Sequence, residues 1–230
     1  ARSRVGQFWL TISTGIYVTV VGFVWSVLWK VSIHELLPHY AVSVIIWLFI
    51  SGTIAESATL FHSKSHFFIN QGMDFSTAIY ALGYRNAFIF LHNIPIVILI
   101  HIILDIPFNY NIIYAIPGIV ILLSALTWVS YLFALLCVRY RDAIQAVQSF
   151  LTVAFFLTPI LWRPEQVPSD MAYLVDFNPF AFLIAVVRDP LLGEAPSFYV
   201  WAASIIFACG GLIISMPIIG HCRNRIIYWI

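Results

Sequence analysis

The stretch RYRDAIQAVQSFLTVAFFLTPILWRPEQVP, residues 139–168, decides the fold of this chain. It begins with three charged residues, Arg139, Arg141 and Asp142, and then becomes strongly apolar. It ends among prolines at positions 159, 164 and 168, where a helix cannot continue. Charge at one end and proline at the other therefore bound an apolar helix, and the solvent around that helix follows from the composition of the whole chain.

The composition places the chain in a membrane. Hydrophobic residues make up 62% of it, charged residues 9%, and the mean hydropathy is +0.95. Soluble domains carry about 25% charged residues, so this chain cannot cover a water-facing surface. With a net charge of +1 and no basic or acidic tail, nucleic acid is not an expected partner. We predict one transmembrane domain over residues 1–230, in contact with membrane lipid.

Six apolar runs are long enough to cross a bilayer as helices, which takes about 20 residues. They are predicted at 7–29, 40–61, 86–104, 112–137, 144–162 and 198–220. Each run is continuous rather than alternating at every second residue, which favours helices over a β-barrel. The predicted fold class is therefore an all-α integral membrane protein with six transmembrane helices.

The lysines and arginines predict the orientation, because they concentrate in cytoplasmic loops. With the start of the chain inside, eight of the eleven basic residues fall on inner segments, and Lys30, Arg163 and Arg188 fall on outer ones. Both termini are then cytoplasmic, and residues 139–142 form a short inner turn between spans four and five. We predict a multi-pass protein of the bacterial inner membrane.

A second apolar run lies between spans five and six and is too short to cross. It reads FLIAVV, residues 182–187, and is bracketed by Asn178-Pro179 and Asp189-Pro190. A run of this length suits a re-entrant segment. We predict a re-entrant outer helical hairpin over about 170–194; an ordinary external loop on the membrane surface is the alternative.

Spans four and five each carry a polar seam. The seams consist of Ser124, Thr127, Trp128 and Tyr131 in span four and Gln145, Gln148, Ser149 and Thr152 in span five. Glutamine is unfavourable facing lipid, so these faces point toward protein or a water-filled path. Hydroxyls interleaved with aromatic rings suit a sugar-bearing substrate, whereas hydrogen bonding between helices with aromatic filler is the structural alternative.

Glu56 is the only acid inside a predicted span, which makes it a candidate functional residue. It lies near the inner end of span two, where it could reach Lys64 or Arg85. A structural ion pair is at least as well supported as a role in ion coupling.

The sequence holds no constellation for catalysis. His62 and His66 are four residues apart, but no third ligand accompanies them, so no metal site is predicted. Neither of the two lysines completes a phosphate-binding loop, and no nucleophile-elbow or zinc-protease motif is present. We predict no catalytic residue, no bound cofactor and no enzymatic activity for this chain.

The chain resembles the membrane-spanning permease subunit of ABC-type polysaccharide exporters, which move O-antigen, capsule or teichoic-acid chains. The motifs that carry the resemblance are VRYRDAIQAVQSFLTVAFFLTPILWRPEQVP (138–168), NPFAFLIAVVRDPLLG (178–193) and SRVGQFWLTISTGI (3–16). Their order and spacing run across nearly the whole chain. The family has an amphipathic helix before the motif SRVGQFWLTISTGI, so the start of the chain is expected to be trimmed.

The resemblance implies a mechanism and partners. Two copies of the permease would enclose a channel for a lipid-linked polysaccharide, and two ATP-binding cassette subunits, which hold ATP and Mg, would dock on the cytoplasmic side. A coupling helix would lie within residues 61–86. The residues implied in ATPase coupling are Lys64, His66, Asp74, Arg139, Arg141 and Asp142. The residues implied in an outer gate are Asn178, Pro179, Phe180 and Arg188.

An aromatic-lined path suits a polymer that slides, because each stacking contact is weak while many together retain the chain. The predicted wall residues are Tyr17, Trp25, Trp128, Tyr131, Phe155 and Phe156. Three alternatives remain at this stage: an ABC exporter for a drug or small lipid, an ion-coupled secondary transporter, and an intramembrane enzyme. No matched pair of broken helices favours the secondary transporter.

Overall fold

The computed structural model describes residues 8–229, apart from the side chains at 71, 169, 223, 224 and 227. The first residue of the predicted first span and the basic residues Arg2 and Arg4 lie outside this range. The α-helices are α1 Phe8–Trp29, α2 Ile33–Ser63, α3 Ser65–Gln71, α4 Phe75–Ile103, α5 Ala115–Arg139, α6 Ala143–Leu157, α7 Tyr173–Asp176, α8 Pro179–Leu191 and α9 Phe198–Cys222. Short 3-10 turns cover Tyr110–Tyr114, Pro164–Gln166, Ser169–Met171 and Arg223–Tyr228.

The predicted all-helical membrane protein is confirmed: over residues 8–229 every regular element is a helix, and five are long and apolar enough to cross a bilayer. The predicted fifth span, 144–162, is shorter than expected. Its helix, α6, has 15 residues and is therefore about 22 Å long, whereas the hydrocarbon core is about 30 Å thick. The helix ends early because Pro159 holds the preceding Thr158 in an extended conformation.

Helix α4 starts eleven residues before the predicted third span. Asp74 caps it by accepting a hydrogen bond from the backbone N–H of Ser76 at 3.0 Å. The apolar run of the predicted span begins at residue 86, directly after the charged Arg85. The helix nevertheless continues through Arg85, since its side chain pairs with Glu56 on α2.

Helix α2 is the centre of the bundle. It contacts α1, α4, α5, α6 and α8, and most of its side chains from Leu36 to Phe61 are buried. Helix α1 lies at the edge, since only Val18, Gly22 and Ser26 of its 22 residues are buried. A large part of the surface of α1 is thus available to lipid or to another protein chain.

Helix α8 is buried although it is only 13 residues long. It packs against α2, α5 and α9, and Val186 and Val187 are fully buried. Gly118 on α5 permits this close approach, because a Cβ atom there would lie 2.5 Å from the backbone oxygen of Val186. The predicted apolar run 182–187 therefore forms a helix inside the bundle.

A separate hydrophobic cluster, the α3 cluster, lies where α2 ends and α4 begins. Its buried members are Leu60, Phe61, Phe68, Phe75, Ala78, Ile79, Leu82, Tyr131, Ala134, Leu135, Val138 and Ile226. It joins α3 to the ends of α2, α4 and α5 and to the 3-10 segment that follows α9. The short helix α3 is thereby anchored to four other elements.

Candidate functional site

A groove of about 450 Å³ runs between α1, α2 and α6. Tyr17 on α1 and Phe155 and Phe156 on α6 line it together with Trp47 on α2. Three of the six predicted wall residues thus lie in one groove. Trp47 was not predicted; it is a tryptophan in the middle of a span rather than at a headgroup interface, and that position was the signal available in the sequence.

Half of the polar seam of α6 faces the same groove. Gln148 and Thr152 line it together with Ser51 and Gly52 of α2, whereas Gln145 and Ser149 do not line it. The hydroxyls of Thr152 and Ser51 donate to backbone oxygens of their own helices, at 3.0 and 2.8 Å, so their lone pairs remain to accept hydrogen bonds from a ligand. The groove therefore combines aromatic faces with a row of polar groups, which is the chemistry that a sugar chain requires.

The other three predicted wall residues do not line this groove. Trp25 packs on Trp29 near the C-terminal end of α1, with ring centroids 4.7 Å apart. Trp128 packs on Phe207 of α9 at 5.0 Å, over Gly211, where any Cβ atom would overlap the indole ring. Tyr131 is 5% exposed and belongs to the α3 cluster. The seam of α5 that holds Trp128 and Tyr131 thus packs against protein.

The predicted outer-gate residues meet the end of α6. Asn178 caps α8 by accepting from the backbone N–H of Phe180 at 2.9 Å, and Pro179 occupies the first turn, where its missing N–H is not needed. The Asn178 amide also donates to the backbone oxygen of Leu157 and to the hydroxyl of Thr158, at 3.2 and 3.1 Å. The end of one helix is thus tied to the start of the other.

Arg188 completes this junction. It is 6% exposed, and its guanidinium donates to the backbone oxygen of Pro159 at 3.2 Å and to the Asp189 carboxylate at 2.9 Å. The segments Thr158-Pro159 and Asn178-Pro179-Phe180, together with Arg188, therefore form one contact network.

The start of α8 also contacts the groove. The ring of Phe180 meets Trp47 edge-on, with centroids 5.4 Å apart, and lies 6.0 Å from the ring of Phe150 on α6. The start of α8 therefore contacts a tryptophan that lines the groove.

We expect Asn178→Ala to destabilise the protein by about 1–3 kcal/mol, because the cap is lost and the oxygen of Leu157 loses its donor. Asn178→Asp keeps the cap acceptor but cannot donate, so its loss should be intermediate. Thermal unfolding of the detergent-purified variants measures both. Equal losses in the two variants would show that the cap contributes nothing.

The predicted coupling residues lie near α3. Lys64 joins α2 to α3, His66 is exposed on α3, and Asp74 caps α4. The Nε2 atom of His62 lies 3.2 Å from the backbone oxygen of Cys137, which ties the end of α2 to the end of α5. His62 therefore joins two helices, whereas His66 lies on the surface. Within residues 8–229, no group of three or more potential metal ligands occurs.

The turn 139–142 follows α5 at the same end of the bundle. Arg141 and Asp142 are exposed. Arg139 is exposed as well; it donates from Nε to the hydroxyl of Tyr140 at 3.0 Å, and its Cζ atom lies 5.1 Å from the centre of the Trp229 ring. All three charged residues thus lie on the surface, and Arg139 in addition contacts two aromatic rings.

Glu56 forms an ion pair. Its carboxylate accepts from Arg85 and, at 2.8 Å, from the amide of Asn86, both on α4. Of the two partners considered from sequence, Arg85 is the one that the structure places against it. Glu56 and its two partners therefore link α2 to α4, the helices that precede and follow α3 in the chain.

Comparison with known proteins gives two kinds of match. A family profile described as ABC-2 type transporter matches residues 1–192. Two relatives from Klebsiella pneumoniae carry the name O-antigen export system permease protein RfbA. One is 26% identical over 192 residues, covering 81% of this chain and 73% of the relative. The other is 24% identical over 231 residues, covering 97% and 86%.

Proposed function

We propose that this chain, which belongs to the ABC-2 type transporter family, is the permease subunit of an ATP-driven exporter of lipid-linked polysaccharide. The polymer would move from the cytoplasm across the bacterial inner membrane. ATP and Mg would be held by a partner subunit, because none of the chain's sequence forms a phosphate-binding loop. Both relatives named above are O-antigen export permeases.

The groove between α1, α2 and α6 is the observation that carries the proposal. Its aromatic rings offer flat apolar faces for pyranose rings, and Gln148, Thr152 and Ser51 offer partners for sugar hydroxyls. An apolar drug would bind to the aromatic rings alone and would make no use of these polar groups. The combination favours a polysaccharide over the drug or small lipid of the alternative exporter.

A second copy of the chain would complete the path. Gln145 and Gln148 are exposed on α6, and a glutamine facing lipid loses hydrogen bonds that water or protein supplies. Helix α1, which flanks the groove, buries only three of its residues in one copy. Pairing along α1 and α6 would turn two open grooves into one enclosed channel with the glutamines inside.

The α3 end of the bundle would face the cytoplasm and two ATP-binding cassette subunits. Helix α3 exposes Phe67, Ile69 and His66, which would enter the ATPase, while Lys64, Asp74, Arg141 and Asp142 would surround the contact. In this orientation both termini are cytoplasmic. Glu56 then serves as a structural bridge to Arg85 and Asn86 rather than as an ion-coupling acid.

The opposite end would form the outer gate. Helix α6 would cross together with the residues that follow it, as the fifth of six crossings, and α8 would enter the bundle as a re-entrant helix. Asn178 and Arg188 would set its position through the end of α6. Phe180, which touches Trp47, would transmit gate movement to the groove.

Purification of the tagged chain from its native membrane in mild detergent tests the proposal. We expect an ATPase with a phosphate-binding loop to co-purify at equal stoichiometry. A second copy carrying a different tag should be captured with the first. In cells that lack the chain, lipid-linked glycan should accumulate at the cytoplasmic face and disappear when the gene is restored.

Three results would count against it. A chain that is purified alone and still transports after reconstitution would exclude the ABC mechanism. Failure to capture the second tag would exclude the homodimer. Normal glycan export in cells without the chain, accompanied by loss of drug efflux, would favour the alternative exporter.

A further inference from the structure

The segment that follows α9 turns back onto the α3 end of the bundle. Helix α9 ends at Cys222, and a 3-10 turn covers Arg223–Tyr228. Ile226 in this turn is 1% exposed and belongs to the α3 cluster, and Trp229 packs against the same cluster. The segment contacts both α9 and α5. Residues beyond the last predicted span thus form part of the core beneath α3.

Trp229 contacts the charged turn 139–142, with which the stretch 139–168 begins. The Cζ atom of Arg139 lies 5.1 Å from the centre of the Trp229 ring and 5.4 Å from that of Tyr140. Both distances lie within the range in which an aromatic ring attracts a guanidinium. The hydrogen bond from Arg139 to the Tyr140 hydroxyl fixes its direction further. Arg139 is therefore held from two sides.

We infer that residues 223–229 act as a latch that positions the turn 139–142. Ile226 anchors the segment in the α3 cluster, and Trp229 holds Arg139. Arg141 and Asp142 of the same turn are thereby presented on the surface at the α3 end of the bundle. Ile226 and Trp229 are positioning residues: they hold Arg139, which is itself exposed, and thereby the surface proposed to meet the ATPase. This role rests on the proposed function.

The neighbouring Tyr228 provides a matched control. It is one residue from Trp229 and also aromatic, but it is 87% exposed. Trp229→Ala removes the ring that faces Arg139, Trp229→Phe keeps an aromatic face, and Tyr228→Ala removes a ring of similar size that holds nothing. A difference among these three variants therefore reports the latch rather than the loss of an aromatic residue.

Hydrogen exchange of the purified full-length permease tests the latch without reference to transport. We expect faster backbone exchange at residues 139–144 in Trp229→Ala, and exchange close to the wild-type rate in Trp229→Phe and Tyr228→Ala. Arg139→Ala should accelerate exchange to the same extent, and the double variant should add little, since both changes remove one contact. Unchanged exchange in Trp229→Ala would overturn the latch.

Binding of the purified ATPase subunit to the same variants tests the positioning role. Trp229→Ala should weaken binding about two- to fivefold, as expected for loss of a cation–π contact at an exposed arginine, and Trp229→Phe should restore most of it. Faster exchange with unaltered ATPase binding would overturn the positioning role. An ATPase that fails to bind the wild-type permease would instead refute the proposed function, while the exchange result still decides the latch.

Discussion

Alanine in place of Phe68 is expected to abolish export while leaving the transmembrane bundle folded. Phe68 is 4% exposed, and its ring centroid lies 5.5 Å from that of Phe61 and 4.8 Å from that of Phe75. A buried phenylalanine replaced by alanine costs about 3–5 kcal/mol. Helix α3 has seven residues and cannot hold its own structure without such anchoring. The variant should therefore lose the surface proposed to receive the ATPase.

The neighbouring Phe67 separates anchoring from contact. It is 42% exposed on the same helix, so Phe67→Ala should leave thermal stability unchanged and weaken only the ATPase contact. Glycan export in cells and retention of the ATPase subunit on the tagged permease measure both variants. If Phe68→Ala exported normally and retained the ATPase, α3 would not be the coupling element.

The sequence predicts the helical membrane fold because apolar length is a local property. The five long helices overlap the predicted spans, and the run 182–187 is correctly expected to be too short to cross. The predicted end of the fifth span, residue 162, lies five residues beyond the end of α6 at Leu157. The conformational restriction that Pro159 places on Thr158 was the local signal for an end at Leu157.

Contacts between distant residues could not be predicted in the same way. Asn178 meets Thr158 across 20 positions, and Asn86 meets Glu56 across 30. Each of these residues can be recognised as polar or aromatic in the sequence, but no local feature identifies the residue that it contacts. The predicted wall residues illustrate this limit: Tyr17 and Phe156 line the same groove, whereas Trp128 packs on Phe207. Only the packing of the helices distinguishes a residue that lines the groove from one that fills the core.

Removing the groove rings that one copy leaves exposed should reduce export without affecting the fold. Tyr17 and Phe156 are 46% and 62% exposed in a single copy, so the double variant Tyr17→Ala, Phe156→Ala removes little packing within that copy. If each ring contributes about 0.5–1.5 kcal/mol to holding sugar rings, export should fall about tenfold. Trp47→Ala is unsuitable for this purpose because Trp47 is 5% exposed and supports Phe155 and Phe180.

Phe23 and Val153 supply the matched control on the same two helices. Each is 56% exposed, and neither lines the groove, so Phe23→Ala, Val153→Ala removes comparable apolar area from α1 and α6. Export should remain normal in this control, and both double variants should retain the ATPase and show similar unfolding temperatures. Gln148→Leu, which keeps the size but removes the hydrogen-bonding groups, should reduce export as well. Equal export by the groove and control variants would show that the polymer takes another path, because the two pairs differ chiefly in facing the groove.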